Sequence, residues 1–127
     1  MRIFKTKGFS KFSKSNWIKD ENLVDAADRA ERGLVDADLG GGVIKQRIAR
    51  QGEGKSSGYR SIILFRRKER AFFVYGFAKN ERQKIRSDEL ERLRALAVEM
   101  LGYSDEELVV ALEQLEIFEV RAGEENL

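Results

Sequence analysis

The chain has 127 residues, 42% hydrophobic and 36% charged, which suits one domain with a single core and a heavily charged surface. It contains no cysteine and no histidine, which excludes disulfides, thiol nucleophiles, thiolate metal sites and the commonest general base together. The net charge of +2 hides a division: residues 1–86 carry 21 Lys and Arg against 10 Asp and Glu, whereas residues 87–127 carry 3 against 12. A split of this size points to a polyanion-facing body followed by an acidic C-terminal segment, with charged helix faces turned to water as the rival account.

No apolar run reaches membrane-spanning length. The opening "MRIFKTKGFSKFSKSNW" lacks the apolar block of a signal peptide. A cytoplasmic location is therefore expected, with no membrane partner.

In chain order, "RIFK" reads as a short first strand, and "KGFSKFSKSNW" spaces Phe9, Phe12 and Trp17 at roughly helical intervals. Asp20 is the expected cap of a helix over about 21–32, where Leu23, Ala26, Ala27 and Ala30 form one apolar stripe and Gly33 is the stop. Gly40 to Gly42 predict a turn or bulge. A strand over about 43–49 then turns Ile44 and Ile48 one way and Lys45 and Arg47 the other. After the loop "QGEGKSSG", the segments "YRSIILFRR" and "RAFFVYGFAK" predict an antiparallel hairpin. Their nearly continuous apolar residues imply strands covered on both faces, with Phe72, Phe73, Tyr75 and Phe77 read as core.

Ser87 is the expected cap of a helix over about 88–101 that buries Leu90, Leu93, Leu96, Ala97, Met100 and Leu101. "SDEE" from Ser104 predicts a capping box for a last helix ending near Gln114. "IFEV" is a possible edge strand and "RAGEENL" a frayed tail. The expected fold is a single α+β domain over 1–127. It has a central antiparallel sheet of about four strands, two N-terminal helices and two C-terminal helices. Its core spans 1–101 and its acidic extension 102–127.

Residues 43–60, "VIKQRIARQGEGKSSGYR", hold Lys45, Arg47, Arg50, Lys55 and Arg60 against one carboxylate, Glu53. If the predicted strands are neighbours, these cations line one rim of the sheet with Lys79, Arg82, Lys84 and Arg86. Such a rim, without a base-reading helix, suits single-stranded or irregular nucleic acid. "GEGKSS" lacks the spacing of a phosphate-binding P-loop and sits between strands, so that reading is rejected. Cleavage of RNA without histidine is chemically feasible. The 2′-hydroxyl is the nucleophile, arginine holds phosphate oxygens in a fixed fork, and a lysine inside a cationic cluster can exchange a proton. No metal or cofactor is expected. The rival for Lys45 and Arg47 is a solvated strand face, for Arg60 a salt bridge, for Lys55 a mobile loop lysine, and for Asn80 a turn residue. Arg66, Arg67, Lys68 and Arg70 straddle the hairpin tip and read as solubility or edge protection.

"SSGYR" at 56–60 entering a strand, preceded by Lys45 and Arg47 in a Lys-x-Arg pair, resembles the RelE toxins of bacterial type II toxin–antitoxin systems. "GEGKSSGYRSIILF" followed by "FFVYGFAKNE" resembles the HigB-like branch of that superfamily more closely. The resemblance covers about 40–86 well and the flanking helices loosely. It implies a small α+β toxin that cuts mRNA in the ribosomal A site and is silenced by a tightly bound antitoxin. A helix-turn-helix protein encoded nearby is the expected partner, beside ribosome and mRNA.

By motif, Lys45 and Arg47 match the family's basic pair, Arg60 the arginine that stabilises phosphate charge, and Lys79 the lysine after the last strand; these four are the catalytic candidates. Arg50, Lys55, Asn80, Arg82, Lys84 and Arg86 are the candidates for RNA or ribosome contact. The sequence departs from the family where a catalytic arginine becomes Asn80 and where the tyrosine that stacks on the A-site base falls at Arg86. Three functions stay open: a ribosome-dependent mRNA endonuclease, a non-enzymatic poison of DNA gyrase like the related ParE toxins, and a catalytically inactive RNA- or antitoxin-binding module.

Overall fold

The computed structural model describes residues 1–49, 58–79 and 85–121. Strand β1 (Arg2–Thr6) leads into α1 (Lys7–Ser15) and α2 (Asp20–Glu31). Strands β2 (Ala37–Asp38), β3 (Val43–Ile48), β4 (Tyr59–Arg66) and β5 (Arg70–Ala78) follow, then α3 (Ser87–Leu101), α4 (Asp105–Glu113) and β6 (Ile117–Glu119). The six strands form one sheet in the order β2-β3-β4-β5-β1-β6.

The meander β3-β4-β5 is antiparallel, as the sequence predicts, but the sheet is larger and mixed. Strand β1 runs parallel to β5, pairing Phe4 with Phe72, and antiparallel to β6, pairing Phe4 with Glu119. The expected four antiparallel strands are thus corrected to six with one parallel pair. Both pairings of β1 join segments far apart in sequence, where no turn chemistry announces them. Arg2 fastens that edge by donating from Nε and Nη2 to the two carboxylate oxygens of Glu119, at 2.9 Å each.

Each face of the sheet carries its own apolar layer. Ile3, Ile44, Ile48, Ile63 and Phe73 pack with Phe9 of α1 and Leu23, Ala26, Ala27 and Ala30 of α2. Phe4, Val43, Ile62, Leu64 and Phe72 pack with Ala97, Met100 and Leu101 of α3 and Leu108 and Ala111 of α4. The period-two alternation of β1, β3 and β4 sorts neighbouring residues into opposite layers. In β5 a bulge opposite the Ile62–Ile63 step breaks that alternation, so Tyr75 pairs with Ile62 while Phe73 pairs with Ile63. Tyr75 is consequently not core: it is 46% exposed, whereas Phe72, Phe73 and Phe77 are buried.

Helix starts follow local chemistry. Thr6 Oγ1 accepts from the Phe9 N–H at 3.2 Å and caps α1. Asp20 and Ser87 each stand one position inside their helices. Lys19 and Arg86 occupy the cap positions, and their N–H groups donate to Asn22 Oδ1 and Glu89 Oε1. Asp20 instead accepts from Lys5 Nζ at 2.7 Å, tying α2 to β1. The capping box of α4 forms as expected: Ser104 Oγ accepts from the Glu107 N–H at 3.1 Å, and Glu107 Oε1 accepts from the Ser104 N–H at 2.9 Å.

Gly40, Gly41 and Gly42 all have positive φ, which turns β2 back onto β3 within three residues. At the β4–β5 tip, Arg66 donates to the Leu101 carbonyl, Arg67 to the Glu31 carbonyl and Arg70 to the Tyr103 carbonyl. The basic run read as surface protection therefore ties the hairpin tip to α2 and to the α3–α4 junction.

Candidate functional site

The helices of the second layer cover only one end of their sheet face. Beyond Val43, Leu64 and Phe72, the same face continues through the buried Ile62 and Phe77 to Lys45, Arg47, Arg60 and Tyr75, which stay partly or largely exposed. Register fixes the rows: Lys45 lies opposite Ile62 and Ile62 opposite Tyr75; Arg47 lies opposite Arg60 and Arg60 opposite Phe77. Strand spacing of about 4.8 Å sets these side chains side by side across the sheet.

Lys45, Arg47 and Arg60 line one open cavity of about 250 Å³ together with Asp36 and Ala37. Next to it, Ile62, Tyr75, Phe77, Ile85, Leu93 and Leu96 line a more apolar cleft of about 200 Å³ beneath α3. The Tyr75 and Phe77 rings stand 6.1 Å apart, tilted by 54°. The two hollows adjoin through the Lys45–Ile62 and Arg60–Phe77 neighbours.

Two guanidinium groups face each other across β3 and β4, an arrangement unfavourable by itself. Burial, and then the charge of Arg47, hold the Arg60 guanidinium below its ordinary pKa, against the pull of Asp36. Arg60 Nη1 is buried with no hydrogen-bond partner among the described residues. A buried guanidinium nitrogen without an acceptor is costly, and it calls for an anion.

Among the described residues, Asp36 is the only carboxylate lining this cavity. Its Oδ2 accepts from the Arg47 backbone N–H at 2.7 Å and lies 3.8 Å from Arg29 Nη1, while its Oδ1 lies 3.4 Å from Arg47 Nη2. Burial pushes its carboxyl pKa up, but the bonds and charge of Arg47, with Arg29 behind, leave it lowered overall. Arg29 is itself buried, bonded to Asp25 Oδ2 at 3.3 Å and to the Arg47 carbonyl at 2.5 Å.

Gln46 holds the segment that carries Asp36. Its Oε1 accepts from the Asp36 N–H at 2.9 Å, and its Nε2 donates to the Ala26 and Leu34 carbonyls at 3.0 Å each. Neither Asp36 nor Gln46 was picked out by sequence reasoning. The available signal was Gln46 itself, a polar residue at a core-facing step between Ile44 and Ile48.

Of the other sequence candidates, Lys79 follows β5 at the Arg60 end of the sheet and is exposed, outside the lining of either hollow. Arg86 sits at the start of α3 with its Nε 3.3 Å from Asp88 and 3.4 Å from Glu89. Arg50, Lys55, Asn80, Arg82 and Lys84 lie outside the described residues. Tyr59 turns to the opposite layer, edge-on to Phe12, and is not part of the site.

No curated relative matches the sequence. A family model, the RelE toxin of the RelE/RelB toxin–antitoxin system, matches residues 1–120. A match over nearly all of the chain, on an α+β domain with this sheet, shows that the chain belongs to the RelE toxin family and is the toxin of a toxin–antitoxin pair, with a cognate antitoxin as its partner.

Proposed function

We propose that this toxin is a ribosome-dependent mRNA endonuclease of the HigB-like branch that cleaves through the RNA 2′-hydroxyl without a metal ion. Arg60 Nη1, without a hydrogen-bond partner among the described residues and inside a cavity shared with Lys45 and Arg47, carries the reading. Those cations would hold a phosphodiester and stabilise the charge that develops as its phosphorus becomes five-coordinate. The aromatic-walled cleft alongside gives a flanking base a surface to stack on, which suits a single strand rather than a duplex. Placement of the strand in the ribosomal A site would supply the in-line geometry that a weakly basic site needs.

The test is 5′-end mapping of a defined mRNA in a purified translation system, with and without ribosomes, for wild type and Arg60→Ala. New ends inside codons are expected only with ribosomes, and Arg60→Ala should lose about 10²–10³ in rate. Folded protein that yields no new ends would overturn the reading. Salt-sensitive RNA binding without cleavage would then indicate a non-cleaving module, and inhibition of DNA supercoiling would indicate a gyrase poison.

A further inference from the structure

The proposed cleavage needs a group to accept the 2′-hydroxyl proton, and the cations of the cavity are poor candidates. A lysine or arginine must first give up its own proton, whereas a carboxylate at neutral pH has none to lose. Resting on the endonuclease reading, we infer that Asp36 is the general base of the site, with Oδ1 as the accepting atom.

The geometry separates the two oxygens. Oδ2 accepts from the Arg47 backbone N–H at 2.7 Å, and the Asp36 N–H in turn donates to Gln46 Oε1. Oδ1 carries a longer 3.4 Å contact to Arg47 Nη2. It is thus the oxygen with lone pairs to offer a hydroxyl in the cavity it shares with Lys45 and Arg60.

The charged groups facing Asp36 among the described residues are Arg29 from α2, Lys45 and Arg47 from β3, and Arg60 from β4, with Asp25 behind Arg29. In the free protein these cations make the carboxylate a weak base. A bound phosphodiester changes that balance. It draws the guanidinium of Arg47 to itself and brings a like charge beside Asp36, and both effects raise the basicity of the carboxylate as the substrate arrives.

The step balances as follows. The 2′-oxygen forms a bond to phosphorus and its proton passes to Asp36 Oδ1. The bond from phosphorus to the 5′-oxygen breaks, and that oxygen takes a proton from the Lys45 ammonium. The products are a 2′,3′-cyclic phosphate and a 5′-hydroxyl, and no oxidant, reductant or further reactant is required. Asp36 stands immediately before β2 and Lys45 on β3, and the pairing of Ala37 with Lys45 brings the two near each other.

The experiment is single-turnover cleavage of ribosome-bound mRNA by wild type, Asp36→Asn and Lys45→Ala. Each is assayed on ordinary RNA and on RNA with sulfur in place of the scissile 5′-oxygen. Sulfur leaves without help from an acid, but the 2′-hydroxyl still needs a base. Asp36→Asn preserves an acceptor for the Arg47 N–H, and its fold is checked by thermal unfolding; Asp36→Glu provides a second variant that keeps the carboxylate. Asp36→Asn is expected to lose about 10²–10⁴ in rate on both RNAs. Asp36→Glu should recover part of that loss, and Lys45→Ala should be restored by sulfur. Wild-type cleavage with Asp36→Asn within threefold of it, or Asp36→Asn restored by sulfur, would overturn the assignment of Asp36 while leaving the endonuclease reading intact. Absence of cleavage by wild type would remove both.

Discussion

Replacing Gln46 with leucine tests how the core holds the candidate site. Gln46 is fully buried, and its side-chain amide makes three hydrogen bonds, to the Asp36 N–H and to the Ala26 and Leu34 carbonyls. Leucine is close in volume, so cavity and overpacking effects are small. Each lost bond costs about 1 kcal/mol, and the orphaned Asp36 N–H adds about 1–2 kcal/mol. Burial of the added apolar surface returns about 1–2 kcal/mol. The net expectation is a loss of about 3 kcal/mol. In urea denaturation this lowers the midpoint by roughly 2 M at a slope of about 1.5 kcal/mol/M. Gln46→Glu should be worse, because a carboxylate would face two carbonyls with no donor to give them. A Gln46→Leu midpoint equal to or above that of wild type would refute the reasoning, since the amide would then contribute nothing that an apolar side chain does not.

A Cβ added at Gly76 would come within 2.4 Å of the Phe12 ring, so Gly76→Ala should destabilise by about 1–3 kcal/mol in the same assay; an unchanged midpoint would mean that the ring moves aside freely. Arg47→Ala should reduce the slope of log affinity against log salt by about 0.7 for single-stranded RNA, and an unchanged slope would remove Arg47 from the phosphate contacts. Glu119 is held below the usual carboxylate range chiefly by its hydrogen bonds from Arg2, against burial and with help from Arg121. Its folded pKa lies below its unfolded one, so its contribution is complete above about pH 4.3 and is lost as pH falls through the folded value. Glu119→Gln should therefore cost about 0.5–1 kcal/mol at pH 7, the half-exposed Arg2 being screened by water, and should narrow the stability difference between pH 6 and pH 3. An equal cost at both pH values would place the effect elsewhere.

Elements that rest on local chemistry could be read from the chain alone. The stripes of α2 and α3, the Ser104 capping box, the glycine turn and the β4–β5 hairpin each depend on residues within a few positions of one another. The opposition of Ile44 and Ile48 to Lys45 and Arg47 follows from the two-residue period of a strand. What was not legible depends on distant partners. Arg2 and Arg70 lie side by side without any sequence pattern to pair them. The bulge that frees Tyr75 depends on pairing with Ile62 and Ile63. Asp36 looks like one of two like acids in "LVDADL"; only the fold brings it against Arg29 and Arg47.

The position of β1, next to the sheet's edge between β5 and β6, has a kinetic consequence. The cationic cavity is lined by residues between 36 and 60, most of them on the paired strands β3 and β4 of the meander. The opposite edge closes only when residues 117–119 return to strand 2–6, across more than a hundred residues of chain. Loop closure on that scale is slow compared with hairpin formation. On a chain emerging from the ribosome, the meander can assemble early and β1 can join it along β5, while the outer edge of β1 waits for β6. A tag, deletion or mutation near residue 119 should then act on the rate at which folded toxin accumulates and leave the arrangement of Lys45, Arg47 and Arg60 in each finished molecule unchanged.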